Sequence, residues 1–168
     1  MTISMYQASV PLFRTLLGAL SGVLDKGVAF AEQKKFDPSA LVNARLAPDM
    51  FTLARQVQVA TSHAAACVAR LAGVDVPAWP DSGTTFEEMK AQIAKAIAFF
   101  DGIKPAQVDG SEGKQIPLKM GGNEMMLTGQ RYLIGFEIPN VTFHCTTAYN
   151  ILRHNGVDIG KRDFLGNF

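Results

Sequence analysis

A helix signalled at both of its ends constrains this chain first. Pro139 fits the first turn of a helix, where its missing N–H would have no partner anyway. Asn155-Gly156 fits the end, because Gly156 can take a left-handed turn without a Cβ clash. Between them Val141, His144, Ala148, Ile151 and Leu152 recur at helical spacing. His144 therefore lies on the apolar stripe, one of only three histidines in the chain. An amphipathic helix must bury its stripe against other elements, so the remaining stripes decide the fold.

Three more stripes precede it. Ser9 is placed to cap a first helix, with Pro11 tolerated in its first turn, and Phe13, Leu16, Leu17, Leu20, Val23 and Leu24 follow on one face. Gly18 and Gly22, four apart, mark a close helix–helix approach on that helix. The polar segment from Glu32 to Asp37-Pro38 ends it, and Leu41 to Pro48 reads as a connector. A second helix is predicted from near Asp49, with Met50, Leu53, Val57, Ala60, Ala64, Cys67 and Leu71 as its stripe and Gly73 as its end. The loop from Val74 to Gly83 carries Pro77, Trp79 and Pro80, so it reads as ordered. Thr85 and Glu88 form a capping box for a third helix. Its stripe of Phe86, Met89, Ile93, Ala96, Ile97 and Phe100 is the clearest in the chain, and Asp101-Gly102 closes it.

After Lys104 the period changes from helical to alternating. Ile116, Leu118 and Met120 alternate with Pro117 and Lys119, Gly121-Gly122-Asn123 follows, and Glu124 to Thr128 returns. This predicts a β-hairpin with a Gly-rich turn, and Pro117 confines its strand to a sheet edge. Gln130 to Glu137 reads as a short helix ending before Pro139. The expected fold class is all-α: four long amphipathic helices in a bundle, with a small hairpin inserted before the last, over a single domain of residues 1–168.

Composition narrows the function classes. Sixteen basic residues oppose fifteen acidic ones, so no electrostatic footprint for nucleic acid or anionic membrane exists. The apolar runs are far short of a bilayer span, and Arg14 interrupts the first of them, so neither a membrane segment nor a secretory signal is predicted. Cys67 and Cys145, the only cysteines, imply no disulfide framework, and a reducing, cytoplasmic setting is expected. No phosphate-cradling glycine loop, G-x-S-x-G elbow or Glu-x-x-His pair is present.

The histidines are the main chemical resource. His63 flanks the second stripe and His144 faces inward on the fourth, so the two can form half of a metal site in a helical core. The residue-level alternative is a pair of hydrogen-bonded, partly buried histidines. His154 lies ten residues beyond His144, roughly 15 Å along the axis, too far to share an ion. It suits the last helical turn instead. Cys67 and Cys145 read as small buried thiols, since adjacent residues such as His144 and Cys145 point about 100° apart. Lys161-Arg162-Asp163 reads as a solvated turn with an internal ion pair.

Two segments carry a resemblance. Arg45 to Met50 (RLAPDM), with Gln56 downstream, and Pro139 to Gly166 (PNVTFHCTTAYNILRHNGVDIGKRDFLG) resemble a bacterial domain-of-unknown-function family in the DinB/YfiT-like superfamily of metalloenzymes. The resemblance implies an up-down four-helix bundle, often a homodimer. It also implies a metal triad of one histidine on the second helix and an H-x-x-x-H pair on the last. Laid on this sequence, the triad is His63, Asn140 and His144, with an amide where the middle imidazole belongs. An amide oxygen is a poor substitute for imidazole on a borderline-soft ion.

The expectation is therefore a cytoplasmic small-molecule-binding or structural homodimer with a degenerate site that holds zinc or nickel weakly. The alternative is a metal-dependent thiol transferase or isomerase of the DinB/YfiT-like type. The Ala98–Phe100 end and Met120, Met125 and Met126 supply the apolar surface for a dimer, since methionines suit adaptable contacts.

Overall fold

The computed structural model of this chain describes residues 3–79, 83–120 and 122–166, apart from the side chain of Met120. Pro80, Gly121 and the last two residues of the C-terminal tail lie outside the described residues. The chain is mostly helical, with one two-stranded antiparallel sheet.

Helix α1 runs from Val10 to Lys34 and buries Phe13, Leu17, Leu20, Val23 and Leu24. Ser9 precedes it but does not cap it as the sequence suggests. Its buried Oγ donates to the carbonyl of Met5 at 2.7 Å, because the chain already turns helically upstream. Lys35 closes the helix in the left-handed region (φ 57°), with the Phe36 N–H bonded back to the Ala31 carbonyl at 3.2 Å. Gly18 and Gly22 are not at a close approach: a Cβ at either would meet nothing within 4 Å. The tight position is Gly27, where a Cβ would press on the ring of Phe86 and on Leu152.

Within the expected connector, α2 (Ser39–Val42) is a single turn that buries Leu41 and Val42. The next long helix, α3, begins at Leu53 rather than near Asp49 and ends at Ala72. Thr52 is its cap, with Oγ1 accepting the Arg55 N–H at 3.4 Å. Pro48 and Asp49 sit outside, and Met50 stays half-buried. Gly73 (φ 73°) ends α3 as expected. Helix α4 (Phe86–Asp101) buries Phe86, Met89, Ile93, Ala96 and Phe100. Thr85 Oγ1 accepts the Glu88 N–H at 3.2 Å, and the Glu88 carboxylate reaches back to the Thr84 N–H at 2.7 Å. That bond holds the carboxyl below its ordinary range.

A short turn, α5 (Pro105–Val108), leads into strands β1 (Gln115–Met120) and β2 (Asn123–Thr128). Ile116 pairs with Leu127, Pro117 with Met126 and Leu118 with Met125. Ile116 and Leu118 face the core, whereas Met125 and Met126 are exposed. Lys114 ties the hairpin to α3: its Nζ donates at 2.7 Å to the Arg70 carbonyl in the last turn, which also accepts the Gly73 N–H.

The segment after the hairpin corrects the sequence reading. α6 (Gly129–Tyr132) does not stop before Pro139. It continues through a π-helical turn, Leu133–Glu137, directly into α7 (Ile138–His154). A proline inside a helix removes one backbone bond, and its ring clashes with the carbonyl four residues back. The π turn, in which the Ile138 N–H bonds to the Leu133 carbonyl, widens the helix just ahead of Pro139. The chain thus accommodates the proline without breaking the helix. After Gly156 (φ 94°), α8 (Lys161–Leu165) lies along α1. Asp163 pairs with Lys26 at 2.7 Å rather than within its own turn.

The long helices α1, α3, α4 and α7 share one apolar core, with α3 packed against both α7 and α4. Phe86, Ile93, Phe100 and the α7 stripe all belong to it. Phe100 is therefore unavailable as a contact surface, contrary to the sequence expectation for the Ala98–Phe100 end. Among the described residues no helix is long and apolar enough to cross a membrane.

Candidate functional site

On α3, Gln56, His63, Cys67 and Arg70 recur at intervals of seven, four and three residues, which places them along one side of the helix. The facing groups come from the π turn and the start of α7. Glu137, Asn140 and His144 also stand three and four residues apart, so they share a face once the helix is continuous through Pro139.

The two sides meet through hydrogen bonds. Nδ1 of His63 lies 3.0 Å from Glu137 Oε2 and 2.9 Å from the side-chain amide of Asn140. Nδ1 of His144 lies 2.6 Å from Gln56 Oε1. His144 is 8% exposed, so burial chiefly, and the neighbouring His63 secondarily, lower its pKa to about 4. His144 is thus neutral at pH 7. A neutral His144 carries its proton on Nδ1, donating to Gln56, and keeps a lone pair on Nε2.

Glu137 is fully buried, whereas the side chain of His63 keeps 36% of its exposure. In the tautomer that carries its proton on Nδ1, His63 donates to the Glu137 carboxyl and keeps a lone pair on Nε2. Asn140 Nδ2 shares that ring nitrogen: a protonated Nδ1 donates to Glu137, and an unprotonated one accepts from Asn140. The polar chain extends further. Tyr132 hydrogen-bonds to Glu137, and Arg70 Nη1 donates to the Tyr132 hydroxyl at 2.7 Å. Burial first, and then the Glu137 charge, push the Tyr132 hydroxyl up. Aromatic rings flank both imidazoles. Phe136 stands edge-on to His63, Phe143 edge-on to His144, and Phe51 stacks on His144.

The thiols take no part in this chemistry. Burial, reinforced by Glu137, raises the Cys67 thiol, and burial alone pushes Cys145 up to about 12. Neither is a thiolate at neutral pH, as nucleophilic attack requires.

The donor set does not make a three-ligand metal centre. The Nδ1 atoms of both histidines are held by protein groups, which is how ligating imidazoles are usually oriented. Asn140, however, hydrogen-bonds to His63. Among the described residues no three His, Cys, Asp or Glu side chains are placed to hold one ion. A structural or catalytic zinc site takes at least three protein ligands.

Sequence reasoning singled out His63, Asn140 and His144 and missed Glu137 and Tyr132. The signal for Glu137 was its spacing to Asn140 and His144, hidden by ending the helix before Pro139.

Residues 5–165 match the model of a family described as Domain of unknown function (DUF1993). The crystal structure of a DinB family member protein from Shewanella denitrificans is 42% identical, with a TM-score of 0.88, over 97% of this chain and 92% of that one. No curated protein matches the chain.

Proposed function

Since the chain belongs to the DUF1993 family of DinB-like domains of unknown function, we propose that it is a cytoplasmic small-molecule-binding homodimer on a DinB-like up-down four-helix bundle, with its hairpin inserted before the last long helix. Its centre at His63, Asn140 and His144 is degenerate and holds zinc or nickel weakly. The observation that carries this reading is that position 140 holds an amide, hydrogen-bonded at 2.9 Å to His63 Nδ1, and not a third imidazole. What the centre offers a ligand is the outward Nε2 of His63, oriented by a buried carboxylate and bordered by Phe136. Such a group accepts a hydrogen bond or a proton from a polar ligand.

The test is metal analysis of protein purified without chelator. Clearly less than one ion per chain is expected. One tightly held ion per chain would overturn the reading in favour of a metal-dependent thiol transferase or isomerase, in which the ion would polarise a thiol or water.

The dimer has its own support. Leu46, Ile138 and Phe143 line an open groove on the outer side of α7, and Phe143 is 54% exposed. Two copies pairing through this groove would repeat the same patch across a two-fold axis. Light scattering at micromolar concentration should give about twice the 18.2 kDa chain mass, and Phe143→Glu should return the monomer mass without unfolding. A monomer mass for the unmodified protein would remove the dimer.

A further inference from the structure

On the other side of the Tyr132 network, the hairpin and α3 enclose a cleft of about 430 Å³. Its walls are Pro117, Leu118, Met125 and Met126, and Arg70 of α3 lies in its lining. Arg70 is half-buried and forms no ion pair with a carboxylate among the described residues. Among the described residues its one side-chain hydrogen bond is from Nη1 to the Tyr132 hydroxyl, and its guanidinium lies 5.8 Å from the Tyr132 ring centre. A guanidinium carries five N–H donors in a planar fork. Most of these donors are left beside an apolar cleft whose volume is in the range of small-molecule sites.

The surroundings fix the chemistry of an occupant. Lys114 anchors the backbone of Arg70, so the guanidinium projects from a held helix end. At the rim Lys119 and Glu124 pair with each other at 3.0 Å and cancel. The net charge facing the cleft is therefore one positive fork. Met125 and Met126, directly opposite Leu118 and Pro117, are unbranched and polarizable, and adapt to a flexible apolar chain. They are 41% and 60% exposed, which leaves apolar surface for a ligand to cover.

We propose that this cleft binds an amphipathic monocarboxylate of the medium-chain fatty-acid class. The carboxylate is clamped by Arg70, and the apolar chain lies against Leu118, Met125 and Met126. This deepens the small-molecule-binding reading with a second site. A planar carboxylate matches the guanidinium fork bidentately. Bound there on the remaining donors, it is linked through Arg70 and Tyr132 to Glu137 and His63.

Calorimetric titration of the full chain with decanoate, kept below its aggregation concentration, tests the proposal, with acetate and decanol as controls. The expected result is one decanoate per chain, with both controls at least about tenfold weaker. Arg70→Gln should weaken decanoate at least tenfold and leave decanol unchanged. Met126→Glu places a charge on an exposed strand position, outside the helical core. It should weaken decanoate as well, and it carries the test if Arg70→Gln fails to fold. Absence of decanoate binding, decanol binding as tight as decanoate, or wild-type affinity in both variants would overturn the proposal. So would a halved mass on Met126→Glu, which would make a second copy the occupant. These outcomes leave the metal analysis untouched, so failure of the cleft and failure of the His63 centre are read separately.

Discussion

The carboxylate of Glu137 sits 3.0 Å from Nδ1 of His63, with the acid wholly buried and the imidazole reaching solvent. A buried carboxylate is costly unless it is partnered. Here the partners are His63 and Tyr132, one from α3 and one from α6, so the acid joins the helix ahead of Pro139 to the helix across from it.

The pair should be energetically coupled. His63→Ala leaves the buried acid one partner short, and Glu137→Gln removes the charge that orients the ring. In a urea-unfolding double-mutant cycle, the two changes should fall short of additivity by about 0.5–3 kcal/mol, as contacting network residues do. Additivity within about 0.3 kcal/mol would show that the contact carries no energy.

Acid should destabilise the fold through His144. Its folded pKa is lowered from 6.5 to about 4, so between those values the unfolded chain binds a proton that the folded chain excludes. Stability is then full above about pH 6.5 and falls as pH drops toward 4, by up to on the order of 2–3 kcal/mol for this group. Unfolding midpoints of the wild type and His144→Gln between pH 7 and 4.5 check this. The variant should lose much of the wild type's slope, and parallel slopes would refute the assignment.

Restoring the third imidazole should restore a metal site. Asn140 contacts the His63 ring, so Asn140→His places an imidazole beside the two already present. Zinc titration should show affinity raised at least about tenfold over wild type, since three ligands are the minimum of a stable site. Unchanged affinity would mean that the side chain at position 140 does not converge with His144.

Phe100 closes the α4 stripe at 1% exposure. Phe100→Ala should cost about 3–5 kcal/mol, because the fixed helices around it cannot collapse into the space. A loss below about 1 kcal/mol in denaturant unfolding would place the ring outside the core.

Much of the helical scaffold was legible from local rules. The third stripe from Phe86 to Phe100, the caps at Thr85 and Gly73, the end at Asn155-Gly156 and the hairpin from Gln115 to Thr128 follow from period, capping and turn chemistry, which act over a few residues. The inward position of His144 follows from the same period. The start of α3 was misplaced because Asp49 and Thr52 are both good caps, and only the packing of Leu53 chooses between them.

Tertiary structure decided the rest. Pro139 forbids an ordinary helix through Glu137, and local rules therefore end the helix there. Packing of Leu133 and Tyr132 into the core favours the continuous helix and its π turn, and that continuity brings Glu137 onto the face of Asn140 and His144. The fate of Gly18 and Gly22 was likewise not local, since which side of α1 meets a neighbour depends on where α4, α7 and α8 lie. Spacing along one helix fixes which residues share a face. Only the arrangement of several helices fixes what that face meets, because those contacts join residues far apart in the chain.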